Sequence, residues 1–107
     1  MKIYVDADAC PVKDEVYKVA SRVGWDVLVV ANSFIRTPPD PRIRFVLVDA
    51  GADAADDWIA ERAIPGDVVI TNDIPLAARA LDKGAEAISP TAKIFTTDMI
   101  GSALATR

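Results

Sequence analysis

The chain has 107 residues, of which 51% are hydrophobic, with a formal net charge of −4, one cysteine and no histidine. The absence of histidine excludes a Ser–His or Cys–His hydrolase and a His-ligated zinc site. The sequence pI of about 4.6 counts against nonspecific nucleic-acid binding as the main role.

Segments typical of strands and helices alternate along the first half of the chain. Residues 3–5 predict a short strand, and valines at helical spacing predict a helix from Pro11 to just before Gly24. Residues 26–31 are almost entirely apolar, which predicts a strand buried on both faces. Residues 32–43 contain three prolines and predict a loop.

The second half of the chain continues this alternation. The predicted strands are residues 44–48, 67–71 and 86–88, and the predicted helices are residues 53–64, 74–83 and 97–106. Such alternation is the signature of an α/β protein. We therefore predict a single domain, residues 1–107, built as a three-layer sandwich around a mainly parallel central sheet of about five strands.

Aspartates follow two of the predicted strands and begin one of the helices. Asp6 follows the first strand and Asp73 follows the fourth. Because the carboxyl ends of parallel strands meet at one edge of the sheet, both belong in the same crevice. Asp53 and Asp56 lie three residues apart at a helix start, on one face. Clustered carboxylates repel one another unless a cation lies between them, and oxygen ligands suit Mg²⁺ or Mn²⁺.

The sequence therefore predicts a metal centre with Asp6, Asp56 and Asp73 as catalytic residues. The predicted ligands of the Mg²⁺ or Mn²⁺ ion are Asp6, Asp8, Asp53, Asp56 and Asp73. For Asp8 and Asp53, capping of a helix is an equally good explanation, since aspartate is a favoured N-cap residue. Capping of the helix at residues 74–83 is also the alternative for Asp73, although its position after a strand favours the metal site. A bound metal lowers the pKa of an attacking water and neutralises phosphoryl oxygens, which indicates phosphoester hydrolysis.

Polar residues near the same edge are the candidates for substrate binding. They are Asn32, Arg36, Thr71 and Asn72. The loop at residues 32–43 brings Arg36 together with Phe34 and can form a flap that contacts phosphates. A solvated connector stiffened by its prolines explains the same loop equally well.

Four motifs stand out when the chain is read as a whole. They are Val5-Asp-Ala-Asp-Ala-Cys-Pro11, Val30-Ala-Asn32, Gly51-Ala-Asp-Ala-Ala-Asp56 and Gly66-Asp-Val-Val-Ile-Thr-Asn-Asp-Ile-Pro-Leu-Ala77. In these motifs the chain closely resembles the bacterial YaiI/YqxD family of uncharacterised proteins, over nearly its whole length.

That family is similar in turn to a branch of the PIN-like nuclease superfamily. In PIN domains an aspartate follows the first strand, which matches Asp6. A helix reading Ala-Asp-x-x-Ile-Ala carries another, which matches Asp56, and a Thr-x-Asp after the fourth strand matches Asp73. The resemblance implies a PIN-like fold and a metal-dependent nuclease that cleaves RNA or single-stranded nucleic acid. It gives Asp8 and Asp53 as additions within the family motif.

Two other functions remain open at the level of sequence. In a phosphatase of the haloacid-dehalogenase type, Asp6 would be the nucleophile and Asp8 the acid. In a non-enzymatic Mg²⁺-binding module resembling response-regulator receivers, Asp49 would accept the phosphoryl group and Thr71 would be the switch residue.

The expected setting is cytoplasmic. No apolar run approaches the length of a membrane span and no signal peptide is evident, so we expect no membrane partner. A single cysteine fits a reducing compartment. The expected partner is RNA or single-stranded nucleic acid, and the oligomeric state is left open, with a homodimer among the possibilities.

Overall fold

Strands and helices alternate in the computed structural model, which describes residues 1–8, 14–49, 51 and 53–90. The strands are β1 (Lys2–Asp6), β2 (Asp26–Ala31), β3 (Ile43–Leu47), β4 (Val68–Ile70) and β5 (Glu86–Ile88). The helices are α1 (Asp14–Val23), α2 (Ala54–Arg62) and α3 (Ile74–Asp82). The predicted α/β fold with a central sheet of about five strands is confirmed.

All neighbouring strands of the sheet are parallel, in the order β3-β2-β1-β4-β5. The chain moves outward from β1 to β3 and then returns to the other side of β1 for β4 and β5. The strand order therefore reverses beside β1. In open α/β sheets this reversal opens a crevice at the carboxyl ends of the two central strands, here β1 and β4.

Helices cover both faces of the sheet, because successive strand residues point to opposite sides. On one face Val5 and Val29 pack with Ala20 of α1. On the other face Tyr4 packs with Ile59 of α2 and with residues of α3. This arrangement is the predicted three-layer sandwich and is consistent with a PIN-like fold.

The end of α2 and the start of β4 differ from the predicted boundaries. The helix ends at Arg62, two residues earlier than predicted, because Ala63 has an extended backbone (φ −62°, ψ 134°). Asp67 lies before β4 rather than in it. Its buried carboxylate accepts hydrogen bonds from the N–H groups of Lys2 and Ile64, at 3.1 and 3.2 Å. Asp67 thus links the N-terminal ends of β1 and β4.

Other boundaries fall close to the predicted ones. Strand β3 begins one residue earlier than predicted, because Ile43 already pairs with Val27 of β2. The predicted helix at residues 97–106, and the beginning of the helix predicted from Pro11, lie outside the described residues. None of the helices in the described ranges combines the length and hydrophobicity that a bilayer crossing requires.

Candidate metal centre

Two acidic side chains lie at the crevice between β1 and β4. One comes from the end of β1 and the other from the segment that follows β4. Asp6 is the last residue of β1 and is only 1% exposed. By the alternation of the strand it shares the face of Tyr4, which is the face covered by α2 and α3. Asp73 follows β4 and caps α3, where its Oδ1 accepts a hydrogen bond from the N–H of Leu76 at 3.3 Å.

Helix α2 brings a third carboxylate to the same place. Because β3 ends at the carboxyl edge of the sheet, α2 begins there, and Asp56 lies in its first turn. Asp6, Asp56 and Asp73 each offer one carboxylate oxygen, and these oxygens lie within 4.8 Å of one another. We refer to these three residues as the acidic triad.

The donor chemistry of the acidic triad fits a hard divalent cation. Mg²⁺ binds oxygen at about 2.1 Å, so two of its ligand oxygens are at most about 4.2 Å apart. Only opposite ligands reach that separation, and neighbouring ones are about 3 Å apart, so the three oxygens, which lie within 4.8 Å of one another, would draw closer together when an ion binds. The set contains only oxygen donors, which favours Mg²⁺ or Mn²⁺ over softer metals.

Thr71 connects two members of the acidic triad. Its Oγ1 donates a hydrogen bond to Asp6 Oδ2 at 2.8 Å and accepts one from the N–H of Asp73 at 2.9 Å. The residue is fully buried. The sequence predicted Thr71 as a substrate contact, but its burial and its two bonds fit a positioning role.

Burial raises the pKa of Asp6 above its ordinary value. The hydrogen bond from Thr71 opposes this rise, and the negative charges of Asp73 and Asp8 add to it. In a metal-free site the ionised form of Asp6 is therefore disfavoured, because it lies near other carboxylates and away from water.

The pKa of Asp56 is also raised, to about 8. Its causes are burial first, then a hydrogen bond with Asp73 and the charge of Asp6. A hydrogen bond between two carboxyl groups requires a proton on one of them. At neutral pH the metal-free acidic triad therefore holds a proton where a cation can bind.

The other two predicted ligands lie outside the acidic triad. Asp8 is exposed, and both of its carboxylate oxygens accept a hydrogen bond from the N–H of Asn32, at 3.1 and 3.0 Å. Asp53 is exposed at the N-cap position of α2, where its side chain makes no capping hydrogen bond. Neither residue belongs to the group of oxygens that lie within 4.8 Å of one another, although Asp8 is close enough for its charge to raise the pKa of Asp6.

The predicted substrate residues lie around the crevice in different settings. Asn72 is exposed between Thr71 and Asp73. Asn32 follows β2 and holds Asp8 through its backbone N–H, while Arg36 is exposed farther along the loop. Asn72 is thus the predicted substrate residue that lies nearest in sequence to the acidic triad and is also open to solvent.

One contact at the site was not expected from the sequence. Asp57 is exposed, and its Oδ1 lies 2.8 Å from Nη1 of Arg79 in α3. The ion pair joins α2 to α3 next to Asp56. Both side chains are about half exposed, so the pair contributes at most about 1 kcal/mol. No local sequence signal indicates a pair between residues 22 positions apart.

The strand order counts against a receiver-like module. Receivers of the flavodoxin-like class have the order 2-1-3-4-5, in which the third strand is central. Here β3 is at the edge of the sheet, and Asp49 is exposed just beyond its end.

The position of Asp8 counts against a phosphatase of the haloacid-dehalogenase type. In such an enzyme the Asp8 carboxyl would act as the acid, but here its oxygens accept hydrogen bonds from the backbone N–H of Asn32.

Comparison with known proteins identifies relatives along nearly the whole chain. Residues 4–107 match the family model described as "Uncharacterized BCR, YaiI/YqxD family". A UPF0178 protein of a Caulobacter species is 66% identical over 98% of this chain and 70% of its own length. Others from Caulobacter vibrioides and Rhodopseudomonas palustris are 62% and 59% identical, over 98% and 99% of this chain and 69% and 68% of their own lengths. No solved structure matches the chain.

Proposed function

We propose that this chain, which belongs to the YaiI/YqxD family of uncharacterised bacterial proteins, is a phosphodiesterase that requires a divalent metal and cleaves RNA or single-stranded nucleic acid. The observation that carries the proposal is the convergence of Asp6, Asp56 and Asp73 from three separate elements to within 4.8 Å. Mg²⁺ or Mn²⁺ is the proposed cofactor, since it prefers oxygen ligands of this kind.

The acidic triad would hold the ion, with each residue fixed in a different way. Asp6 is held by the hydroxyl of Thr71, and Asp73 is held by the backbone N–H of Leu76. Asp56 would release its proton when the ion binds, because a ligating carboxylate must be ionised. When bound, such an ion supplies a water of lowered pKa and charge that offsets the phosphoryl oxygens.

The surroundings of the acidic triad support a nucleic-acid substrate contacted by few protein charges. Exposed Asn72 adjoins the acidic triad, and exposed Arg36 follows β2 on the neighbouring loop. Amide and guanidinium groups are common partners of phosphate oxygens. With a net charge of −4 the protein would hold a polyanion chiefly through the metal and such local contacts, rather than through a general positive field.

The test is cleavage of labelled single-stranded RNA and DNA with Mg²⁺ or Mn²⁺, by wild type, Asp73→Asn and Asp57→Asn. Asparagine caps a helix as well as aspartate does, so Asp73→Asn keeps α3 while it removes a ligand charge. We expect wild type and Asp57→Asn to cleave, and Asp73→Asn and EDTA-treated wild type to be inactive. Cleavage by the purified protein that survives both chelation and Asp73→Asn would contradict the proposal. So would the absence of cleavage by the folded wild type loaded with metal.

A further inference from the structure

Strand β3 (Ile43–Leu47) is an edge of the sheet, paired with β2 on one side only. In a parallel pair the backbone groups of successive residues point alternately toward the neighbour and away from it. The O of Arg42 accepts from Val27 and the N–H of Val48 donates to Ala31, so the even-numbered residues of this segment face β2. The backbone groups of Phe45 and Leu47 therefore point outward, and within the described ranges they have no backbone partner.

The face of β3 toward α1 leaves apolar side chains exposed next to this edge. Phe45 packs in the cluster beneath α1, and Leu47 shares its face by the alternation of the strand. Leu47 is 64% exposed. Phe34, which is 79% exposed, packs edge-on against Phe45 with ring centroids 5.5 Å apart. An edge with open backbone groups and exposed apolar side chains is a template for another strand.

The other face of β3 borders a groove of opposite character. This groove, about 340 Å³ in volume, lies between the end of β3 and α2. We call it the acidic groove, because its lining holds three carboxylates against one guanidinium, and that guanidinium, of Arg62, lies 3.6 Å from Glu61. The lining residues are Leu47, Val48, Asp49, Ala54, Asp57, Trp58, Glu61 and Arg62. The same strand carries exposed Arg44 on the face of Val46 and Val48. The strand and the acidic groove thus have complementary charges.

We propose that β3 pairs in antiparallel fashion with β3 of a second copy of this chain, across a two-fold axis at Val46. The axis sets Phe45 opposite Leu47 of the partner subunit, and these residues exchange N–H···O=C bonds through groups that point outward in each copy. It also sets Val48 opposite Arg44 of the partner subunit, whose guanidinium then enters the acidic groove. Exposed Leu47 and Phe34 are covered on the opposite face.

The register follows from the backbone groups that are free. A shift of one step that centres the axis on Phe45 would pair Ile43 with Leu47 of the partner subunit. That register needs the N–H of Ile43, which already donates to the O of Asp40 at 3.0 Å. In the register centred on Val46, the hydrogen bonds next to the axis involve only Phe45 and Leu47. The backbone N–H and C=O groups of these two residues point outward and are open. Such an interface is isologous, as most homodimer interfaces are.

The proposal is tested by the mass of the full chain in solution, from sedimentation equilibrium over a wide range of concentration. We expect wild type to dimerise and Arg44→Glu to weaken the dimer by at least about tenfold, because glutamate would face the acidic groove. Arg22→Glu, the same charge change on an exposed residue of α1, should leave the dimer within about twofold of wild type. Arg44→Glu combined with Glu61→Lys should restore dimerisation.

Three results would overturn the proposal. They are a wild type that stays monomeric at every concentration, an Arg22→Glu variant weakened as much as Arg44→Glu, and a double variant that does not recover. Circular dichroism of each variant separates a lost interface from a lost fold. The inference does not rest on the nuclease proposal, because dimerisation is measured without metal or substrate.

A second measurement tests the register. Across the proposed axis the two Val46 residues form a non-hydrogen-bonded pair, with Cα atoms about 4.5 Å apart. That spacing permits a disulfide. In a chain with Cys10→Ser, Val46→Cys should form a covalent dimer under mild oxidation, and Leu47→Cys should not. Equal cross-linking of the two variants, or none, would contradict the register.

Discussion

Thr71 and Asp6 are joined by a buried hydrogen bond of 2.8 Å, although 65 positions separate them in the sequence. The bond crosses from the segment after β4 to the end of β1. It holds one carboxylate of the acidic triad in place and stabilises the ionised form of Asp6, because a hydrogen bond to a carboxylate favours the charged state.

Thr71→Val should therefore destabilise the protein and weaken metal binding. The substitution keeps the shape but leaves Asp6 and the N–H of Asp73 without the hydroxyl, at a cost of about 1–3 kcal/mol in the free energy of unfolding. Urea denaturation measures this loss, and calorimetry measures the Mn²⁺ affinity. Thr71→Ser, which keeps the hydroxyl, is the control. A valine variant that binds Mn²⁺ as tightly as the serine variant would contradict the positioning role.

Neighbouring aspartates of α2 offer a matched comparison for the metal site. Asp56→Asn removes a member of the acidic triad and should weaken Mn²⁺ binding by at least about tenfold, or about 1.4 kcal/mol. Asp57→Asn removes a charge one residue away, whose contact is with Arg79. It should change the affinity much less. Asp6→Asn should behave like Asp56→Asn. Equal losses in the Asp56 and Asp57 variants would indicate a diffuse charge effect instead of a shared ion.

The stability of the metal-free protein should fall as pH rises. Asp56 has its pKa raised from 3.8 to about 8 in the folded state, and the pKa of Asp6 is also raised. Between about pH 4 and pH 8 the folded chain therefore holds more protons than the unfolded chain, so the free energy of unfolding declines with pH. The contribution is fully present below this window and lost above it. Thermal melts in EDTA at pH 5.5 and pH 8 measure the decline.

Asparagine at position 56 cannot ionise, so Asp56→Asn should reduce this decline and melt higher than wild type at pH 8. Asp57→Asn should keep the wild-type pH dependence. If Asp56→Asn melts lower than wild type in EDTA at pH 8, Asp56 is a stabilising hydrogen-bond partner, and repulsion within the acidic triad is not significant.

Metal affinity should change with pH in the opposite direction. Since the pKa of Asp56 is about 8, its proton must be displaced for the carboxylate to bind an ion at lower pH. Each unit below about pH 8 should weaken Mn²⁺ binding about tenfold while one proton is released. Calorimetry in two buffers of different ionisation enthalpy counts the released protons. An affinity that is constant from pH 6 to pH 8 would contradict the raised pKa.

The members of the acidic triad were predictable from the sequence because each lies in or next to a regular strand or helix, which fixes its position. Asp6 is the last residue of β1 and Asp73 lies three residues after the end of β4, so the direction of these parallel strands brings both to one edge of the sheet. Asp56 lies inside a helix. Asp53 was expected beside it from helical spacing, but its backbone (φ −112°, ψ 10°) is not helical, and the spacing rule does not apply to it.

Contacts between distant segments were beyond the sequence signals. Asp8 is held by the N–H of Asn32, 24 positions away, and Thr71 is engaged by Asp6 through tertiary contact. The end of α2 also depends on tertiary contacts. After the helix, residues 63–67 turn, and the carboxylate of Asp67 accepts hydrogen bonds from the N–H groups of Lys2 and Ile64. Local propensity carries no information on such partners.

The origin of the acidic triad in three distant segments has a consequence for folding. An unfolded chain cannot bring together positions 6, 56 and 73, so an ion would bind the assembled sheet and helix but not the separated parts. Its binding free energy would then add to folding, by about 2.7 kcal/mol at a hundredfold excess over the Kd. It would also oppose partial opening in which α2 leaves the sheet. Backbone amides of α2 should exchange hydrogen more slowly with Mn²⁺ present, which would make this helix a sensor of metal occupancy.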